Sequence, residues 1–530
     1  MRGLFKTVFK YSNYRQPKTT LTFLILSHVF YIVQSFNFLV YFSIFFGTQP
    51  AKLDMPLTTQ IVPTGEIMEV ALNYKLYDDM TNVRDEGEAK ATLDKQYLTL
   101  TVMFGDPMLF AYTDIIGISD YDYKVDLFLS SKEKLNLWSL GYNYEDFLFQ
   151  LFKLRNELML KYLLIEESLL QAGFEGQYVQ LEPNGQISET GNCEIRLYDT
   201  ALVVLPQKNE LIRLPYCYIT KVNKQDYKLT ITNESQEKTE FTQLGQNFDP
   251  LAKALSDAVN KMILRTQQSI KELIPEATPI TINKLATLMK DGLAAKRKEI
   301  EQQSTDLWRR LTKKIDEAGL TMEYEFLNSL AAKDQVCLGL KRGLMGDLTG
   351  TYIWMLFPLL NPGTNRLSNT VALEAFNAQD NSENKDQLTK NKDPEILEET
   401  SQNQGQEQET GAIGATYFFK TAGRKEYAQT EDDDLTKELE SFVKNFNQSM
   451  IEINFRREPI YLTENQLEST RYTQYRFAIA KIPYLKILRE QFVGRVIHAS
   501  HEQWKADVVS LLAFNAKSID DNEKWSKGGQ

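Results

Sequence analysis

The residues best equipped for chemistry lie near the C-terminus, where His498, His501 and Glu502 stand three to four positions apart. On a helix that spacing puts two imidazoles and a carboxylate on one face, within reach of a divalent metal. No further protein ligand is evident. The preferred reading is therefore a pair of solvent-facing histidines, and a metal-dependent hydrolase using His498, His501 and Glu502 is the rival. The chain has only three histidines. The third, His28, sits in an apolar run, and none is paired with a motif-borne serine or cysteine, so no nucleophilic triad is offered. No spacing of carboxylates singles out an acid and base pair. The expectation is a protein that is not an enzyme and needs no cofactor.

Gly339, Gly343, Gly346 and Gly350 punctuate a stretch that could cradle a phosphate. It lacks the Gly-Lys-Ser/Thr ending of a nucleotide loop and the Gly-x-Gly-x-x-Gly of a dinucleotide turn. The glycines read as a flexible turn ahead of a strand at Tyr352. Cys193, Cys217 and Cys337 fit neither a disulfide framework nor a zinc ribbon, and buried, inert thiols are expected.

A chain of 530 residues is too long for one core and implies roughly three to four domains. Its net charge of -11 argues against broad affinity for nucleic acid, which needs lysine and arginine to replace the counterions of phosphate. Between Lys284 and Lys314, however, nine cations stand against four acids. A solvated helix face is the simplest account, with docking on acidic protein, lipid headgroups or nucleic acid as alternatives.

The N-terminus reads differently. Residues 1–20 are basic, and no charge interrupts the chain from Thr19 to Gln49. The run 21–46 is long enough to cross a bilayer as one helix, and the preceding cations place the N-terminus in the cytoplasm. A single-pass membrane protein is the expectation. The alternative is a soluble, cytoplasmic scaffold translated from Met68.

Shifting the chain by 104 residues aligns 91–158 with 195–262 without a gap, and fifteen of the 68 positions are identical. Tyr123-Lys124 falls on Tyr227-Lys228, Leu140-Gly141 on Leu244-Gly245 and Asn143 on Asn247. Alternating runs at 97–104, 123–130, 201–205 and 227–232 read as half-buried strands. After Leu-Gly the period changes. Phe147, Leu151, Leu154 and Leu158, like Leu251, Leu255, Val259 and Met262, recur at helical spacing.

Short strands closed by one helix, twice over, resemble the pleckstrin-homology-like (PH-like) superfold, especially small bacterial versions found on membrane-anchored chains. The resemblance implies an α+β protein with tandem PH-like units over 68–172 and 173–270. Some relatives bind phosphoinositides through a basic strand loop. Here the loop at 105–108 is Gly-Asp-Pro-Met and that at 209–212 is Asn-Glu-Leu-Ile, so phosphoinositide binding is not supported.

Residues 271–335 carry Leu285, Leu288, Ile300, Leu307, Leu311 and Ile315 at amphipathic spacing and read as a helical hairpin or short coiled coil. A third, broken unit is expected over 336–455, interrupted by a disordered polar insertion at 377–409; a linker between two domains is the alternative. The region 456–530 reads as helical. The resulting expectation is a membrane-anchored interaction or scaffold protein that engages a protein partner or itself.

Overall fold

The computed structural model describes residues 67–525, apart from 79–80, 163–167, 345–346, 362–365, 378–413, 424–426, 428–430, 499 and 518–522. The basic segment 1–20 and the apolar run 21–46 lie outside the described residues. Among the described residues no helix is long and apolar enough to cross a membrane.

The architecture is mixed α+β, with three curled antiparallel sheets and many helices. The first sheet has seven strands: β1 Met68–Asp78, β2 Asn82–Leu93, β3 Tyr97–Val102, β4 Met108–Ala111, β5 Ile115–Tyr121, β6 Lys124–Leu129 and β7 Lys134–Trp138. Helix α1, Tyr144–Tyr162, follows. Period-two alternation turns Val125, Leu127, Leu135 and Leu137 to one face, where Phe147, Leu148 and Leu151 of α1 bury against them. Each such side chain contributes on the order of 1.5–3 kcal/mol.

The second sheet comprises β8 Leu169–Leu181, β9 Ile187–Tyr198, β10 Ala201–Pro206, β11 Ile212–Pro215, β12 Ile219–Gln225, β13 Lys228–Asn233 and β14 Lys238–Thr242, followed by α2, Phe248–Leu273. The two sheets have the same strand order, β4-β3-β2-β1-β7-β6-β5 and β11-β10-β9-β8-β14-β13-β12. Their turns coincide as well. Asp122 and Tyr123 have φ of 46° and 59°, and Asp226 and Tyr227 have 52° and 58°. Positive φ at both residues of a two-residue hairpin suits the right-handed twist of the flanking strands.

The equivalence runs upstream of residue 91. Tyr74 Oη donates to Asp85 at 2.8 Å, and Tyr178 Oη, 104 positions later, donates to Glu189 at 3.3 Å. Each ring lies across a glycine of the neighbouring strand, Gly87 or Gly191. The second unit begins at Leu169, a few residues before the expected boundary.

The expected third copy is not present in that form. The third sheet follows chain order through β15 Ala295–Lys296, β16 Cys337–Leu344, β17 Asp347–Leu360, β18 Leu367–Asn377, β19 Ala415–Lys420 and β20 Phe492–Ile497. Its last strand arrives only after a helical stretch that includes α7 Asp432–Glu452, α8 Glu458–Tyr461, α9 Glu464–Leu467, α10 Thr473–Lys481 and α11 Pro483–Gln491. The region 456–530 is thus not all helical. Nor do residues 271–335 form a single helical hairpin or a coiled coil. They fold into α3 Pro279–Leu288, α4 Arg297–Gln303, α5 Thr305–Glu317 and α6 Thr321–Leu330. Leu285, Ile300, Leu307, Leu311 and Ile315 pack with Ile353, Met355 and Phe357 on one face of the sheet, together with α12, His501–Lys517. The alternate residues Trp354 and Leu356 face α7 on the other side. A sheet covered on both faces explains why β17 is apolar from Tyr352 to Leu360 rather than alternating.

Most of the expected insertion 377–409 lies outside the described residues. The strands that flank it are neighbours, with Thr370 opposite Lys420 and Leu373 opposite Tyr417. Three glycines of the glycine-punctuated stretch are in strands as well. Gly339 and Gly343 lie in β16 and Gly350 in β17, not in a flexible turn.

Candidate functional site

A cavity of about 480 Å³ opens at the end of the second sheet, between β11–β14 and helix α7. Its apolar wall includes Ile212, Leu214, Ile219, Ile231, Leu293 and Val443, and its polar groups include Gln180, Tyr218 and Thr239. Such a volume is that of a small-molecule site.

Ion pairs and hydrogen bonds fix the walls. Arg213 donates to Ile451 O at 3.0 Å and pairs with Glu452 at 3.2 Å, placing a cation at the C-terminal end of α7, where the helix carbonyls favour it. Lys296 reaches Glu440 at 2.8 Å. Asn447 accepts from Ala294 N at 2.9 Å and donates to Ala294 O at 3.2 Å. The sheet, the 293–296 segment and α7 are thereby held around one space.

Two polar atoms of residues in its wall, Tyr218 Oη and Gln180 Oε1, are themselves shielded from solvent and have no hydrogen-bond partner. A buried group left unsatisfied costs about 1–3 kcal/mol. Burial, reinforced by the nearby Cys217 and carboxylates, pushes the Tyr218 phenol well up, so it stays a neutral donor. Five glutamates line the cavity (234, 237, 299, 440 and 452) against Arg213, Lys296 and Lys444. The lining is net acidic, and Arg213 and Lys296 are already paired within it.

The histidines of the C-terminal motif lie elsewhere, at the β20–α12 turn. His498 Nε2 is 3.3 Å from Glu374 Oε2 and 3.0 Å from Thr416 Oγ1. Thr416 donates to Glu374 at 2.7 Å and accepts the Trp504 indole N–H at 3.0 Å. His501 Nδ1 stands 3.7 Å from Glu323, and its ring stacks on Trp504. The side chains of His498 and His501 are only 11% and 17% exposed, so the reading as solvent-facing histidines does not hold. Glu502 is exposed. Among the described residues no group of three or more His, Cys, Asp or Glu is arranged to hold a metal ion.

Burial opposes a charge on His498. The hydrogen bond to Glu374, with the charges of Glu374 and Glu323, outweighs that and raises the imidazole above its ordinary value. The cluster's carboxylates had one signal in the sequence: Glu374 is a lone acid inside the apolar run Val371–Phe376.

The three thiols are free and buried. Burial pushes Cys193 and Cys337 up to about 12, which leaves them unreactive at neutral pH. In the basic stretch, Lys290, Lys296, Arg297, Arg309, Lys313 and Lys314 each have a carboxylate partner.

No family model and no curated protein matches the sequence. Among solved structures, a chain of "Structure of the Spt16D Pob3N heterodimer" is similar over 31% of this chain and 83% of its own, at 12% identity and a TM-score of 0.12.

Proposed function

We propose that this chain is a non-enzymatic interaction protein whose tandem PH-like units present a docking surface to a protein partner. The shared strand order, each sheet followed by one helix, supports the PH-like reading. The charge-free run 21–46 supports a membrane tether, and fractionation of the native protein separates that from a soluble chain beginning at Met68.

One observation carries the docking proposal. In the second unit, the β10–β11 hairpin is covered by the first unit's helix. Asn156 donates to Asn209 O at 2.9 Å and accepts from Leu211 N at 3.1 Å, while Met159 and Leu160 pack with Val203, Leu205 and Leu211. Among the described residues, the matching β3–β4 hairpin of the first unit has no such cover. Met103, Phe104 and Leu109 are 85%, 90% and 61% exposed there. Apolar side chains gathered on one hairpin mark an interaction surface. By analogy with the covered copy, its occupant is an amphipathic helix of a partner protein.

A photo-crosslinking residue at Phe104 in the full chain, activated in native membranes, tests this. A discrete protein adduct is expected, and it should disappear with Met103→Asp and Leu109→Asp in a chain that still folds. Adducts to lipid alone, or none, would overturn the proposal.

A further inference from the structure

Within the chain, the helix of the first unit covers the hairpin of the second: Asn156 of α1 donates to Asn209 O, and Met159 and Leu160 pack with Val203, Leu205 and Leu211. The two hairpins share one register, since Val203 faces Arg213 and, 104 positions earlier, Thr99 faces Leu109. The same shift carries Asn156 to Asn260, Met159 to Ile263 and Leu160 to Leu264 on α2. Helix α2 thus bears an asparagine and two apolar residues at the places that α1 uses for covering. The third sheet does not take up that face. Ala258, Met262 and Ile270 of α2 pack into the cores behind it, whereas Asn260 is exposed, Ile263 is half-buried and Leu264 is 62% exposed. Among the described residues, one chain therefore carries an uncovered hairpin in its first unit and, in its second, a helix equipped to cover one.

We propose that these two surfaces meet between copies, so that α2 of one chain lies across the β3–β4 hairpin of the next and the chains join head to tail. This joint rests on the docking surface proposed for the first unit and makes its occupant a second copy of this chain. The shared register sets Asn260 against Val102 O and Gly105 O, the carbonyls equivalent to Pro206 O and Asn209 O, to which Asn156 donates within the chain. Pro107 stands where Leu211 does and has no N–H, so the bond from Leu211 N to Asn156 is not repeated. Thr99 and Thr101 likewise replace Val203 and Leu205. The apolar area moves instead to the hairpin tip. There Phe104 replaces Lys208, whose partner is Glu145 at the start of α1, and the start of α2 offers the ring pair Phe248 and Tyr227, 5.8 Å apart. With one hydrogen bond fewer and two threonines in place of Val203 and Leu205, the joint between copies is weaker than the one within the chain. Repeat arrays end in polar caps; here Met103, Phe104 and Leu109 at one end and Leu264 at the other are exposed and apolar. Because the two surfaces differ, the contact is heterologous, and copies add in series to a filament or a closed ring.

The three native thiols are buried, so introduced cysteines react alone. Full-length chains carrying Thr101→Cys are mixed with full-length chains carrying Leu264→Cys and treated with a short bismaleimide. The mixture is expected to crosslink roughly tenfold more than either chain by itself, and a chain with both substitutions should give dimers and higher species. Adding Asn260→Arg to the Leu264→Cys chain should cut the mixed product roughly tenfold at an unchanged melting temperature, because Asn260 is exposed within the chain. No mixed product, a mixed product that survives Asn260→Arg, or Thr101→Cys chains that crosslink to one another as strongly as to the Leu264→Cys chain would each overturn head-to-tail joining. If the photo-crosslinker at Phe104 captures a different protein while no mixed product forms, the docking surface stands and only self-association falls. If it captures nothing, both fall.

Discussion

The Arg155 guanidinium, wholly buried in α1 of the first unit, reaches Glu210 Oε1 of the second at 3.0 Å. Lys481 of α10 meets the same carboxylate oxygen at 2.7 Å, so one glutamate holds two cations from two other parts of the chain. Burial pulls both cations' pKa values down and Glu210 pulls them up, with Arg155 adding to the strain on Lys481.

Glu210→Ala should therefore destabilise the protein by about 2–3 kcal/mol, because two largely buried cations lose their counterion. Urea denaturation measures it. Asp306→Ala, which removes the exposed partner of Arg309, should cost less than about 0.5 kcal/mol in the same assay and serves as the control. Equal effects of the two substitutions would refute the unequal roles.

The His498–Glu374 pair sets a pH dependence whose sign follows from the raised imidazole. Its stabilising contribution is fully present below the unfolded histidine value, near 6.5, and is lost as pH rises through the higher folded value. The groups facing it are Glu374 and Thr416 on β18 and β19, Glu323 on α6, and His501 and Trp504 on α12. Melting temperatures of wild type and His498→Gln between pH 5.5 and 8.5 should differ most at the acid end and converge toward the alkaline end. A difference that grows with pH would contradict the assignment.

Gly339→Ala should be strongly destabilising, on the order of 1–3 kcal/mol from overpacking. A Cβ there would sit 2.3 Å from the Trp354 indole and 2.6 Å from Gly292 O. Trp354→Leu in the same chain should recover part of the loss by removing the indole, though the carbonyl remains. Thermal denaturation of the single and double variants checks both statements; an unaffected single variant would remove the role assigned to Gly339.

Replacing residues 378–413 with a short flexible turn should leave the melting temperature nearly unchanged. The β18–β19 ladder runs to Leu373 opposite Tyr417, and Thr416 donates to Glu374 at 2.7 Å just beyond it, so the two strands that flank the segment lie side by side. Shortening a flexible connection alters closure entropy by only about 0.6 kcal/mol per halving. A large fall in melting temperature would mean that the segment contributes contacts of its own.

What could be read from the sequence was the local part. Asp122-Tyr123 and Asp226-Tyr227 recur because each pair forms a two-residue turn whose geometry depends on its immediate neighbours. Leu151 and Leu255 recur because each stands at the same place on a helix face that covers its own sheet. Tyr74 and Tyr178 obey the same shift, yet the strands around them share almost nothing else. There the pleat demands only an apolar inner face, which many residues satisfy.

Tertiary structure decided the rest. His498 meets Glu374, Glu323 faces His501, and Trp354 lies on Gly339 through strand pairings and helix contacts between distant parts of the chain. The spacing of His498, His501 and Glu502 suggested one helical face. The chain instead turns from β20 into α12 between the two histidines, which sends His498 to a buried carboxylate and leaves Glu502 in solvent. Likewise, Gln180 and Thr239 of the second unit stand where the first has Leu76 and Leu135, a change visible in the sequence, but only α7 folding over that end of the sheet makes it a cavity. Periodicity and turn chemistry act over a few residues and are written locally; which distant surface covers a given face is settled by packing, and no short stretch of sequence encodes it.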